Sequence, residues 1–287
     1  MEDNLLDSVI NNKYVLRKKI GSGKFGHIYL GANINKKVEV AIKLENSTSK
    51  YTTLRNEATI LNYLYQHKCA DVPHIYWYGK YLNYMTLILP IYDCSLYDYM
   101  SYMHNVRDEH IYRLMVEALS IIENIHQLFV IHRDIKPQHF MIKNNRLYLI
   151  DFGISTFYVT DNKKLKPNVQ RDDSVIGSPN YASFNLYNGH VYSRRDDLIS
   201  LCYMFLFIYT LELPWEDLYS YNEGELYDNT SIHNSKNIQY KNMKELVRLM
   251  PICSKINTHL EIFLSYCYSL DYYDEPNYTK YMSLFHT

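Results

Sequence analysis

Gly21-Ser22-Gly23-Lys24-Phe25-Gly26 sits between two stretches of β-formers, and this placement narrows the possible folds more than any other feature of the chain. Upstream lies Tyr14-Val15-Leu16. Downstream come Ile28-Tyr29-Leu30 and then Val38-Glu39-Val40-Ala41-Ile42-Lys43. A GxGxxG pattern alone is weak, because dinucleotide-binding folds use it to open a helix against a pyrophosphate. Here the glycines return into apolar residues at period two (Ile28, Leu30), the mark of a strand. The segment is therefore read as strand, Gly-rich turn, strand, and a dinucleotide-dependent oxidoreductase has little support.

The rest of the composition sets bounds. A length of 287 residues allows one large domain or two small ones, and 47% hydrophobic with 21% charged residues is ordinary globular material. A net charge of -1 provides no basic field toward nucleic acid or a membrane surface. Met1-Glu2-Asp3-Asn4 is acidic and polar, so no secretory signal is visible. The five cysteines (Cys69, Cys94, Cys202, Cys253, Cys267) are odd in number and never spaced as CxxC, which predicts a reduced intracellular protein without structural zinc. None of the 12 histidines forms HExxH. The 31 tyrosines exceed any catalytic need and carry no functional argument. No internal repeat and no Gly/Ser- or Pro-rich linker interrupts the chain.

Further along, Leu54, Ala58, Leu61 and Leu64 recur at helical spacing, with Glu57 near the start of that segment. Met85 to Leu89 reads as a strand ending at Pro90-Ile91-Tyr92. From Ser95 the pattern turns helical, and Leu114, Ala118, Ile121, Ile122 and Ile125 mark one long amphipathic helix. That helix leads into His132-Arg133-Asp134-Ile135-Lys136-Pro137-Gln138-His139, and Asp151-Phe152-Gly153 begins 17 residues after Asp134. The uncharged run Leu198 to Leu211 has 14 residues, too few to cross about 30 Å of hydrocarbon at about 1.5 Å per residue. A buried central helix is expected there.

In this order the chain resembles the eukaryotic protein kinases, and within them the casein kinase 1 group, which includes vaccinia-related and other viral kinases. The similarity runs from about Tyr14 to Phe285 and rests on several motifs. These are Ala41-Ile42-Lys43-Leu44-Glu45, Pro73-His74-Ile75-Tyr76-Trp77-Tyr78-Gly79, Ser193-Arg194-Arg195-Asp196-Asp197-Leu198, Leu213-Pro214-Trp215 and Asp274-Glu275-Pro276-Asn277-Tyr278. Ala182-Ser183-Phe184-Asn185 stands where most kinases have Ala-Pro-Glu, similar to the group's own variant.

The resemblance implies an α+β, two-lobed kinase domain over 1–287, with lobes at 1–92 and 93–287 and ATP in the cleft between them. It implies that Gly21, Gly23 and Gly26 let backbone approach the phosphates, and that Glu57 holds Lys43 against them. Asp134 would accept or orient the substrate hydroxyl, and Lys136 would steady the γ-phosphate. The implied nucleotide contacts are Ile20, Ile28, Ala41, Leu89, Pro90, Tyr92, Met141 and Ile150. Proline lacks an N–H but keeps its carbonyl, so Pro90 C=O and Tyr92 N–H are left to pair with adenine. Asp151 is the implied Mg²⁺ ligand, and Asp197 the buried carboxylate that braces the catalytic loop.

Three departures qualify this. His139 replaces the metal-binding Asn, and imidazole suits Mn²⁺ or Zn²⁺ better than Mg²⁺. One lost transition-state contact costs about 3–4 kcal/mol, or roughly 10²–10³ in rate, against a kinase turnover of roughly 1–100 s⁻¹. That predicts slowed catalysis, with Asp151 and His139 as the metal residues and Mn²⁺ as an alternative to Mg²⁺. Asn180, in Gly177-Ser178-Pro179-Asn180-Tyr181, replaces the Arg that binds a phosphate already on the substrate, and Asp172 and Asp173 make the area more acidic. Cys202 stands where the group usually has Gly and is read as a small core residue. With the chain stopping near Thr287, control is expected from the domain itself or from a partner. The expectation is thus a Ser/Thr protein kinase acting on protein, without nucleic acid or membrane, monomeric, in cytoplasm or nucleus. The alternative is a nucleotide-binding pseudokinase that acts by docking on a partner.

Overall fold

The computed structural model describes residues 5–23, 26–49, 53–103, 106–170, 175–216 and 235–285. The class is α+β, with a sheet in the N-terminal part and helices in the C-terminal part. Two compact units form, Met1–Asp93 with Tyr148–Ser155, and Cys94–Leu147 with Thr156–Thr287.

In the first unit, alternating apolar residues build an antiparallel sheet. Its strands are β1 (Val9–Ile10), β2 (Tyr14–Gly23), β3 (Gly26–Asn33), β4 (Val38–Asn46), β5 (Trp77–Tyr81) and β6 (Tyr84–Pro90), with α1 (Thr53–Gln66) between β4 and β5. The sheet order is β1-β2-β3-β4-β6-β5. Val40, Ile42 and Leu44 of β4 share one face and join Leu16, Tyr29 and Ile88 in the core, as period-two alternation requires. Ala41, Lys43 and Glu45 therefore belong to the other face. Glu45 is only 3% exposed. Its carboxylate accepts Thr53 Oγ1 at 2.5 Å and Leu54 N at 3.1 Å, which satisfies the exposed donors at the start of α1.

The strands run further than the sequence indicates. Gly21 pairs with Ile28, Ser22 with His27 and Gly23 with Gly26. All three glycines thus lie on the ladder, and Lys24 and Phe25 are outside the described residues. Gly26 is also needed for packing, because a Cβ there would collide with the Leu44 carbonyl oxygen on β4.

The second unit begins with β7 (Cys94–Ser95), α2 (Leu96–Tyr102) and α3 (Asp108–Gln127). Asp108 and Glu109 complement the dipole at the start of α3, whose core stripe includes Leu114, Ala118, Ile121, Ile122 and Ile125. Next come β8 (Val130–Ile131), a short 3₁₀ turn (Pro137–His139) and β9 (Phe140–Lys143), which pairs with β7. After β10 (Arg146–Leu149), β11 (Thr156–Phe157) pairs with β8. The remaining helices are α4 (Phe184–Tyr187), α5 (Arg194–Thr210), α6 (Ser235–Met243), α7 (Leu246–Ile256), α8 (Thr258–Ser269) and α9 (Tyr278–Leu284). Helix α5 is buried all round from Arg195 to Ile208, and a Ser193–Asp196 capping box starts it. Among the described residues no helix is long and apolar enough to cross a membrane.

Candidate active site

Two clusters of polar side chains are assembled, one within each unit. In the first, Lys43 on β4 donates to both carboxylate oxygens of Glu57 on α1, at 2.7 and 2.9 Å. Glu57 is 1% exposed. The same ammonium lies 3.5 Å from Asp151 Oδ1. Burial pulls the Lys43 ammonium toward deprotonation, but the charges of Asp151 and Glu57 outweigh it and hold the group charged. Asp151 takes a left-handed backbone (φ 66), which costs energy for a residue with a Cβ.

What holds that conformation comes from α1. Asn56 Nδ2 donates to the carbonyls of Phe152 (3.3 Å), Gly153 (3.0 Å) and Ser155 (2.9 Å). Leu149 N adds a bond to the Asp71 carbonyl at 2.9 Å. One helix thus offers neighbouring side chains to two tasks, Glu57 to Lys43 and Asn56 to the segment that carries Asp151.

In the second unit, Asp134 follows β8 in a loop pinned from below by α5. Asp197, fully buried, accepts His132 N at 2.7 Å, Arg133 N at 2.9 Å and His126 Nε2 at 2.9 Å. Burial would raise the Asp197 carboxyl, but the His126 hydrogen bond and charge prevail and hold it below the usual range. These bonds fix Arg133 in a left-handed conformation (φ 74), and Asp134 projects from the next residue. Asp134 Oδ1 accepts Ser178 N at 2.8 Å, and Oδ2 accepts Lys136 Nζ at 2.9 Å. Lys136 Nζ also reaches Ser178 Oγ at 2.8 Å. Burial works against the Asp134 charge, yet His139 and Lys136, with the Lys136 and Ser178 hydrogen bonds, keep the carboxyl below its usual range.

Across residues 14–283 the chain matches the family model of the protein kinase domain. It belongs to the protein kinases. The fold and the order of motifs in this kinase follow from that membership.

The kinase places its candidate nucleotide residues unevenly. Ala41 pairs with Leu89, Lys43 with Ile28, and Val40 with Pro90, the last residue of β6. Ile20 is 47% exposed on β2. The Tyr92 ring lies 5.0 Å from that of Tyr148, and burial raises its hydroxyl pKa. Ile150 belongs to the first unit and Met141, on β9, to the second.

His139 is 7% exposed, and its Nδ1 lies 2.9 Å from the Asp134 carbonyl oxygen. A carbonyl only accepts, so Nδ1 carries a proton in this contact. Cys202 is buried, its Sγ 3.7 Å from that of Cys267, and burial raises the thiol, as befits a packed core residue. Asp172 and Asp173 lie outside the described residues. Asn56, Ser178 and Glu45 were not singled out as site residues by the sequence. Asn56 adjoins Glu57 and Ser178 follows Gly177, so adjacency was the available signal.

Proposed function

We propose that this chain is an ATP- and divalent-metal-dependent Ser/Thr protein kinase of casein kinase 1 type, slowed by His139. The observation that carries the reading is the closed Lys43–Glu57 pair at 2.7 Å, because phosphoryl transfer in this family requires that pair. The domain assignment is a single kinase domain over 1–287, with lobes at 1–92 and 93–287.

On this reading Lys43 neutralises the α/β-phosphates, with Glu57 fixing its position. Asp134, held ionised, accepts the proton of the substrate hydroxyl as that oxygen attacks the γ-phosphorus and the bond from that phosphorus to the departing ADP breaks. Lys136 sits beside Asp134 and Ser178, where a cation counters charge that builds on the transferring group. Gly21, Gly23 and Gly26 bring backbone N–H groups to the phosphates, while Ile20, Ile28, Ala41, Leu89, Met141 and Ile150 enclose the base. Pro90 C=O and Tyr92 N–H read the edge of the adenine.

A Mg²⁺ ion would draw charge from the β/γ-phosphate oxygens when bound. The residues fit that ion: Asp151 is 44% exposed and offers hard oxygens. No group of three or more His, Cys, Asp or Glu is gathered as a metal cage among the described residues. Mg²⁺ takes one or two carboxylates plus phosphates, so it needs no such cage. The His139 imidazole favours Mn²⁺ over Mg²⁺ as second ion.

Substrate choice follows from Asn180. Its Oδ1 accepts Tyr240 OH at 2.9 Å, so the side chain is anchored inward and offers no cation to a substrate phosphate. Phosphate transfer to matched primed and unprimed peptides tests this. The two should be phosphorylated at similar rates, and a strong preference for the primed peptide would overturn it.

A further inference from the structure

A lysine with no carboxylate partner among the described residues lies at the bottom of the second unit. Lys244 follows α6 and is 0% exposed. Its Nζ lies 4.9 to 5.2 Å from the ring centroids of Trp215, Tyr187, Tyr203 and Tyr240. Burial lowers its pKa well below that of a free lysine, and the four ring faces oppose that by attracting a cation. An isolated buried lysine is costly, and packing alone would favour an apolar residue.

What the ammonium does is donate to main chain. It bonds Pro179 O at 2.6 Å and Ala182 O at 2.8 Å. The cage residues hold the same short segment: Tyr187 OH donates to Pro179 O (2.9 Å), Trp215 Nε1 to Asn180 O (2.8 Å) and Tyr240 OH to Asn180 Oδ1 (2.9 Å). At its other end the segment meets the reacting groups. Ser178 N donates to Asp134 Oδ1. Gly177, at φ 96, lies so close that a Cβ would sit 2.6 Å from the Arg133 carbonyl oxygen.

We infer that Lys244 is a positioning residue for the protein acceptor: it clamps residues 177–182 from beneath and so sets Ser178 against Asp134. This rests on the proposed function, in which the segment that carries Asn180 bears on the choice of protein acceptor. The clamp acts through two carbonyls and leaves the outward side of the segment without a cationic side chain. The class of acceptor that suits it is an unphosphorylated, hydroxyl-bearing peptide.

Lys244→Met tests this, since it keeps the volume and removes both donors, and replacing a buried charge with an apolar group is often neutral for folding. Amide hydrogen exchange over 177–182 should speed up by about fivefold or more, the factor for one ordinary hydrogen bond, while protection of α5 and α8 stays unchanged. KM for a protein acceptor should rise and KM for ATP should not. Unchanged exchange over 177–182, or equal acceleration throughout α5 and α8, would overturn the assignment, as would a parallel rise in both KM values. If Lys244→Met does not fold, Lys244→Leu, which also removes both donors, carries the same comparison. Absence of phosphate transfer by the wild type would count against the proposed kinase activity, and the exchange measurement would still decide the role of Lys244.

Discussion

At the scale of single residues, the chemistry turns on carboxylates forced into uncommon environments. Asp134 and Asp197 are both held below the ordinary carboxylate range. A depressed folded pKa stabilises fully above the unfolded value of about 3.9 and is lost as pH falls through the folded value. Asp196, raised by burial, has the opposite sign and softens the acid loss. The melting temperature should therefore be insensitive to Asp134 and Asp197 from about pH 5 to 8 and fall below about pH 4. Asp197→Asn should melt lower at neutral pH and lose part of that acid slope. An unchanged slope in thermal melts of the variant would refute the assignment.

His139 is the other residue-scale determinant. An Asn at this position can donate its amide to the Asp134 carbonyl and still present an oxygen to a cation. His139→Asn should therefore raise Mg²⁺-dependent turnover by roughly 10²-fold, the size of one transition-state contact. A steady-state comparison showing equal or lower turnover would overturn the proposal that His139 slows transfer.

At the scale of elements, α1 does two jobs through consecutive residues. Glu57 faces Lys43, and Asn56 holds three carbonyls of the segment that carries Asp151. Asn56→Ala leaves those carbonyls short of a donor, at about 1–3 kcal/mol, and should cost activity out of proportion to global stability. Exchange and denaturant titration check this. Loss of stability with full activity would contradict it.

The contrast between these residues shows what a sequence can reveal. Lys43, Glu57, Asp134 and Asp151 sit in short motifs whose order survives on the written chain. Asn56 acts on residues 96 to 99 positions away, and Lys244 on residues 62 to 65 positions away. On the page both look like solvated helix residues, since lysine is rarely buried. The helices were legible because Leu114 to Ile125 and the uncharged Leu198–Leu211 run have the right period or length. The strands through Gly21 and Gly23 were not, because glycine has little strand propensity and the ladder there is set by partner strands.

For the molecule as a whole, each unit brings one set of groups. The first carries Lys43, Glu57 and Asp151. The second carries Asp134, Lys136 and the 177–182 segment. On the proposed function, phosphoryl transfer asks of these groups little covalent chemistry beyond positioning and charge. The most direct measurement is therefore γ-phosphate transfer to casein and to the chain itself, in Mg²⁺ and in Mn²⁺ separately, with Asp151→Asn as the blank. Transfer above that blank, stronger in Mn²⁺, is the predicted result. No transfer in either metal, with ATP still bound, would contradict the account and leave a nucleotide-binding pseudokinase.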